Sequence, residues 1–190
     1  MQYFSARFVT KIDSNNNNAF GSVDGGGRLG NVVDGALVQY FKANGSSLCG
    51  AKGGFPLPKK LLSVALQPSY PGASGDVFPF YQSRGDAGVV IEGFGAGNVG
   101  AQLAKGLVAF ANDTSFRFVV ARKPQSGVTV ADYGCKGCLG TLVELGAVQA
   151  LNLDAFQARI VLMLALTQRR GMSTAALQGV YRGISFPAEA

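Results

Sequence analysis

The chain has 190 residues, enough for one domain with a real core, and its 47% hydrophobic content excludes a disordered polymer. Only 15% of the residues are charged, which points to a surface partly covered by an oligomer partner or a further domain. The formal charge is +6, and the chain has no histidine, which removes the usual general base and the Ser-His-Asp triad.

The basic residues stand in ones and twos, as Lys59-Lys60, Arg122-Lys123 and Arg169-Arg170. No dense basic stripe with interleaved aromatics appears, so nucleic acid is not an expected partner. No uninterrupted apolar run near 18 residues and no leader-like opening is present. The expectation is a soluble chain without a membrane partner.

In chain order, the first third is rich in loops. Phe4 to Val9 reads as a strand, and Asn15 to Asn18 and Asp24 to Gly27 read as turn or linker material. Val32-Val33 and Leu37 to Phe41 read as short strands, and Asn44 to Gly54 as a further Gly/Ser-rich loop. This opening, residues 1–58, is expected to be a strand and loop connector. From Lys59 the pattern sharpens, giving an expected domain over 59–190. Leu61 to Leu66 is a candidate buried strand, and Asp76 to Ser83 a helix after the turn Tyr70-Pro71-Gly72. Ala87 to Glu92 is a strand, Val99 to Ala111 a helix, Phe116 to Ala121 a strand and Thr141 to Gly146 a short helix. Asp154 to Arg170 is a strong helix, with Asn152 as its expected cap and Phe156, Ile160, Val161 and Leu164 as its expected apolar face. Gly171 stops it, and Ser173 caps a last helix running through Tyr181. Strands alternating with helices predict an α/β domain with a small parallel sheet covered on both faces.

Three features carry candidate chemistry. Cys135 and Cys138 form a C-x-x-C, and Cys49 is the third cysteine. Without histidine, a four-ligand zinc site is not expected, and no metal is assigned. The pair reads as small residues in a Gly-rich loop. Thr10-Lys11 beside Asp13 looks reactive but reads as a strand end, and Thr129 near Asp132 lacks an activating lysine.

The third feature is Gly95-Ala96-Gly97-Asn98-Val99-Gly100, a G-x-G-x-x-G between a strand and a helix. Such glycines let a dinucleotide pyrophosphate approach the backbone, and Arg122, at the end of the next strand, suits a 2′-phosphate. An NADP-binding module using Gly95, Gly97, Gly100 and Arg122 is therefore one reading. Another is that a parallel sheet uses such a turn to position a ligand loop of any kind.

The succession of further stretches bears on that choice. Arg7 to Asp13 and Asn18 to Ser22 come first, then Ser69 to Ala73 and Gly88 to Val99. Ser126-Gly127-Val128 and the helix Ala158 to Leu166 follow. In this order and spacing, the chain resembles the connector and C-terminal domain of the bacterial L-asparaginase/glutaminase family over nearly its whole length. The resemblance implies a three-layer α/β/α domain and hydrolysis of L-asparagine to L-aspartate and ammonia, with L-glutamine as the alternative substrate. It implies no cofactor and a homo-oligomer, a dimer or tetramer in which the C-terminal domain lends side chains to a neighbour's site. The family's threonine nucleophile belongs to its N-terminal domain, whose motifs are not found in this sequence. The resemblance therefore places no catalytic residue here and makes an asparaginase N-terminal domain a partner, with the chain inactive alone. Asn98 matches the family asparagine that reaches the neighbour's substrate; the local alternative is a cap for the following helix. Some members add a glutamate from a later loop. The corresponding stretch here holds Asp132 and Tyr133 instead, which leaves the choice between asparagine and glutamine open. A cytoplasmic location is implied, or a periplasmic one if an export signal lies upstream. A third reading is an interaction domain that kept the fold without the chemistry.

Overall fold

The computed structural model describes residues 1–24, 26–41, 55–56, 58–111 and 113–185. Two compact units result, Met1–Gly45 and Ser46–Ala190. The expected loop Asn44 to Gly54, with Cys49, lies outside the described residues, as does Gly25.

The first unit is built from antiparallel strands. β1 (Gln2–Phe4), β4 (Arg28–Val33) and β5 (Ala36–Gln39) pair in the order β1-β4-β5, and β2 (Val9–Lys11) pairs with β3 (Phe20–Ser22). Asp34 and Gly35 turn β4 into β5 with φ of 49° and 78°, the left-handed pair that a two-residue hairpin requires. The expected strand Phe4 to Val9 is replaced by two strands with a turn between them, Val9 N–H donating to the Ser5 carbonyl at 3.0 Å.

The second unit carries a four-stranded, all-parallel sheet in the order β6 (Ala65–Pro68), β7 (Gly88–Gly93), β8 (Arg117–Arg122), β9 (Val148–Gln149). The connecting helices are α1 (Val77–Ser83), α2 (Ala101–Leu107) with a 3₁₀ turn Val108–Phe110, and α3 (Leu139–Glu144). Consecutive parallel strands joined by crossovers of one hand put all three helices on one face. Phe78, Leu103, Leu107, Leu139 and Leu142 there meet Val89, Ile91, Phe118 and Val120. The other face would be bare without α4 (Ala155–Gln168) and α5 (Thr174–Ser185). They cover Val90, Val119, Ala121 and Val148. The expected three-layer α/β/α domain is therefore found, preceded by small antiparallel strands. β8 is buried along its whole length, which is why Phe116 to Ala121 reads as a near-continuous apolar run.

Three details differ from expectation. β6 begins at Ala65 rather than Leu61, because parallel pairing with β7 starts at Ala65 opposite Val89. The cap of α4 is Asp154, not Asn152: its carboxylate accepts from Gln157 N–H at 2.8 Å, and the Asp154 N–H in turn donates to Gln157 Oε1 at 3.3 Å. The buried stripe of α4 is Ala155, Ala158, Val161, Leu162, Ala165 and Leu166, while Phe156 and Ile160 face solvent. Small residues let the helix lie close to the sheet. Ser173 does cap α5, its hydroxyl accepting from Ala176 N–H at 3.2 Å. No helix among the described residues is long and apolar enough to cross a membrane.

Candidate functional site

A parallel sheet gathers its ligand loops beyond the C-terminal ends of its strands. Here that edge carries Ser69-Tyr70 after β6, Phe94 to Gly100 after β7, Lys123 to Cys138 after β8 and Ala150 to Leu153 after β9.

The β7 loop closes on itself. Phe94 N–H donates to the Asn98 carbonyl at 2.6 Å and Asn98 N–H returns to the Phe94 carbonyl at 2.9 Å, an isolated antiparallel bridge. Gly95 and Gly97 sit inside this tight loop with φ of 50° and 113°. At Gly97 a Cβ would press on Leu139 Cδ2 at 3.0 Å and Val120 Cγ1 at 3.2 Å, so the loop lies directly on the core. Both conditions call for glycine.

This geometry answers the dinucleotide question. The glycines make a closed hairpin loop between strand and helix, and α2 behind it has only seven residues. Gly100 is the N-cap of α2, in extended conformation. Arg122 does not point outward to a phosphate. It is buried, and its guanidinium donates to the carbonyls of Pro124 and, at 3.0 Å, Asn152. The NADP reading of Gly95, Gly97, Gly100 and Arg122 is thus not supported.

Asn98 is half-buried, and its Oδ1 accepts from the Leu139 N–H at 3.1 Å. It therefore satisfies one of the orphan donors at the start of α3, not of the helix that follows it in sequence. A backbone N–H bonds an oxygen, so the amide orientation follows, and the NH₂ is the end left to donate. The neighbouring backbone is tied in the same way. Val99 N–H donates to the Gly137 carbonyl at 2.8 Å, and Val130 N–H to the Ala96 carbonyl at 3.0 Å.

The segment of Asp132 and Tyr133 is thus laid beside the Asn98 loop, two residues beyond the Val130–Ala96 bond. Both side chains are exposed. Thr129, by contrast, is buried and structural: its hydroxyl accepts from Leu151 N–H at 2.9 Å. Thr10 and Lys11 lie in β2, and the Asp13 carboxylate accepts from the Asn15 and Asn16 N–H groups, so they form no nucleophile assembly. Lys123 adds a positive charge to the edge, its Nζ 5.7 Å from the centre of the Phe94 ring.

The displaced ionisations lie elsewhere. Backbone hydrogen bonds hold the Asp13 carboxyl below its ordinary value, and the Ser115 hydroxyl and N–H do the same for Asp113. Burial pushes the Tyr181 phenol well up and the Arg117 guanidinium down. These groups serve turns and packing; Tyr181, for example, donates to the Ala158 carbonyl at 2.7 Å. No group of three or more Cys, Asp or Glu side chains suited to a metal occurs among the described residues. The reading of Cys135 and Cys138 as ordinary small residues is corrected: they form a disulfide with Cα atoms 5.0 Å apart.

Known proteins resemble this chain in sequence and fold. Residues 63–180 match the glutaminase/asparaginase C-terminal domain family. A probable L-asparaginase of Deinococcus radiodurans is 30% identical over 189 residues, covering 94% of this chain and 53% of that protein. The crystal structure of a probable cytoplasmic L-asparaginase from Campylobacter jejuni superposes with a TM-score of 0.77 at 28% identity, covering 94% of this chain and 51% of that one. The chain spans about half the length of these relatives. With residues 63–180 matched and the parallel sheet and its loops in place, the chain belongs to the glutaminase/asparaginase family and carries its C-terminal domain.

Proposed function

We propose that this chain is the C-terminal half of an L-asparaginase-type amidohydrolase, which converts L-asparagine and water to L-aspartate and ammonia. In this reading, residues 59–190 form the α/β domain, 1–58 the connector, and the threonine nucleophile comes from an asparaginase N-terminal domain. The chain contributes an oligomer interface, as a dimer or tetramer, and one substrate-contacting side chain, Asn98.

The observation that carries the reading is the mounting of Asn98. Its loop is closed by the Phe94–Asn98 bridge, its Oδ1 is occupied by Leu139, and its NH₂ stands at the C-terminal edge of the sheet. A fixed donor of this kind suits a substrate carboxylate, and Lys123 gives the edge a matching charge. Asp132 and Tyr133 are the exposed polar groups on the adjoining segment and the candidates for a second substrate contact, with the choice between L-asparagine and L-glutamine left open.

The test is ammonia release from L-asparagine by this chain mixed with a separately expressed N-terminal half of a full-length relative, with each half alone as control. Activity in the mixture and none in either half is the expected result. Ammonia release by the pure chain would contradict the assignment of the nucleophile. Silence in a mixture whose halves fold and associate would favour a purely interacting domain.

A further inference from the structure

The Cys135–Cys138 link lies against the one loop on which the functional reading depends. Cys138 is the N-cap of α3, and the next residue, Leu139, is the donor to Asn98 Oδ1. Gly137, inside the four-residue ring, receives the Val99 N–H at 2.8 Å. Its φ is +88°, and a Cβ there would run into the Val99 carbonyl oxygen. The ring is completed by Cys138 N–H donating to the Cys135 carbonyl at 2.9 Å, an oxygen that also receives the Thr141 hydroxyl at 2.9 Å. Residues 137–139 thus hold both the backbone beyond Asn98 and its side chain. The two sulfurs differ in access: Cys135 is exposed, whereas Cys138 is 5% exposed.

We infer that Cys135 and Cys138 are an exchangeable dithiol/disulfide pair that fixes the 137–139 segment, and through it Asn98, when oxidised and loosens it when reduced. The chemistry needs only a small-molecule thiol/disulfide couple. A thiolate of the reductant attacks the exposed Cys135 Sγ. The S–S bonding pair leaves on Cys138 Sγ, which takes up a proton. A second reductant thiol, as its thiolate, attacks the reductant sulfur of the mixed disulfide and releases Cys135 as a thiolate, which is protonated. One protein disulfide and two reductant thiols become two protein thiols and one reductant disulfide.

Oxidation cross-links the ring and limits how far Gly137 and Leu139 can move from their partners. Reduction leaves hydrogen bonds alone to do so, and local opening becomes cheaper. The effect on amide hydrolysis rests on the role proposed for Asn98; the exchange and the loosening do not.

The test uses the full chain with Cys49→Ser, so that only this pair is counted. The protein is equilibrated in graded ratios of reduced to oxidised glutathione, quenched in acid and alkylated, and free thiols are counted by mass. Amide hydrogen exchange at Val99 and Leu139 is followed at the two ends of the series. The expected result is that both thiols appear together, and that the two amides exchange about tenfold faster or more in the reduced protein. Cys135→Ser should exchange like the reduced form under all ratios. A pair that stays reduced in excess oxidised glutathione, or stays bonded in excess reduced glutathione, would overturn the exchange. Equal amide rates in the two states would overturn the coupling to Asn98. Neither readout requires catalysis, so a failure of the asparaginase reading would be seen separately.

Discussion

The two units of the chain are held together by different physics. In Met1–Gly45, strands of three to six residues pair by backbone ladders, and among the described residues only Ala19 and Leu29 are buried hydrophobics. Leu37 and Phe41 stand 60% and 67% exposed. In Ser46–Ala190, one parallel sheet is packed on both faces by separate apolar clusters. Side-chain burial dominates folding energetics, so the second unit has its own source of stability and the first depends on ladder bonds and on whatever covers its apolar side chains. The candidate site is mounted on the unit packed on both faces of its sheet. Its loops are anchored directly to a packed sheet, which is how side chains are kept in working geometry.

The contrast is most easily broken in the core. Phe78→Ala removes a fully buried ring that meets Tyr81 and Phe110 edge-on at 6.5 Å, and should cost about 3–5 kcal/mol in urea unfolding. Leu37→Ala, in the first unit, should stay within about 0.5 kcal/mol. Equal costs would mean that the first unit has a core of its own.

The site loop gives the next largest effect. Gly97→Ala meets both a φ of +113° and crowding by Leu139 and Val120, and should cost about 1–3 kcal/mol. Gly95→Ala faces open space at φ +50° and should cost only about 1 kcal/mol. If the order were reversed, the loop would not be seated on the core.

Asp154→Ala tests a cap instead of a core. Loss of the capping box on α4 should cost about 1 kcal/mol, whereas Asn152→Ala should leave that helix terminus unchanged.

The smallest effect is one that both units share. Asp13 and Asp113 each accept loop N–H bonds, and both carboxyls are held below the ordinary value of 3.8. A carboxyl with a lowered folded pKa contributes stability above its unfolded value. That contribution is lost as pH falls through the lower folded value, so the window lies below about pH 4. Asp113→Asn should therefore narrow its stability gap from wild type as the pH drops through that window, measured by melting temperature. A gap independent of pH there would remove the role of Asp113 in the turn.

The alternation of strands and helices was legible because buried parallel strands and short amphipathic helices leave distinct apolar runs. Gly88–Gly93, Arg117–Arg122 and the start of α5 lie close to where periodicity predicts them. The face of α4 was not legible, because that helix is apolar all round and the sheet selects its alanines over Phe156 and Ile160. Leu61 to Leu66 reads as one strand since a short apolar run does not reveal where its partner begins. Asp34-Gly35 and Asp154-x-x-Gln157 are local signals of a hairpin and a capping box that hydrophobic periodicity alone does not reveal. At the site, Asn98 and its loop could be picked out by resemblance. Its partner could not, because the Asn98–Leu139 bond joins residues 41 apart. The local pattern instead suggested a cap on the adjacent helix. The same distance in sequence hides the contact between the Cys135–Cys138 ring and the Asn98 loop.

The central claim is that the donor end of Asn98 completes an amide-hydrolysing site. The measurement that tests it most directly is kcat/KM for L-asparagine in the reconstituted mixture, for wild type and Asn98→Asp. Aspartate keeps an oxygen for the Leu139 N–H, so the loop stays held, but it replaces the donor with a carboxylate that repels the substrate's own. A fall of roughly 10- to 100-fold or more, with an unchanged melting temperature, is the predicted result. Unchanged kcat/KM would contradict the account and leave Asn98 as a cap for α3 alone.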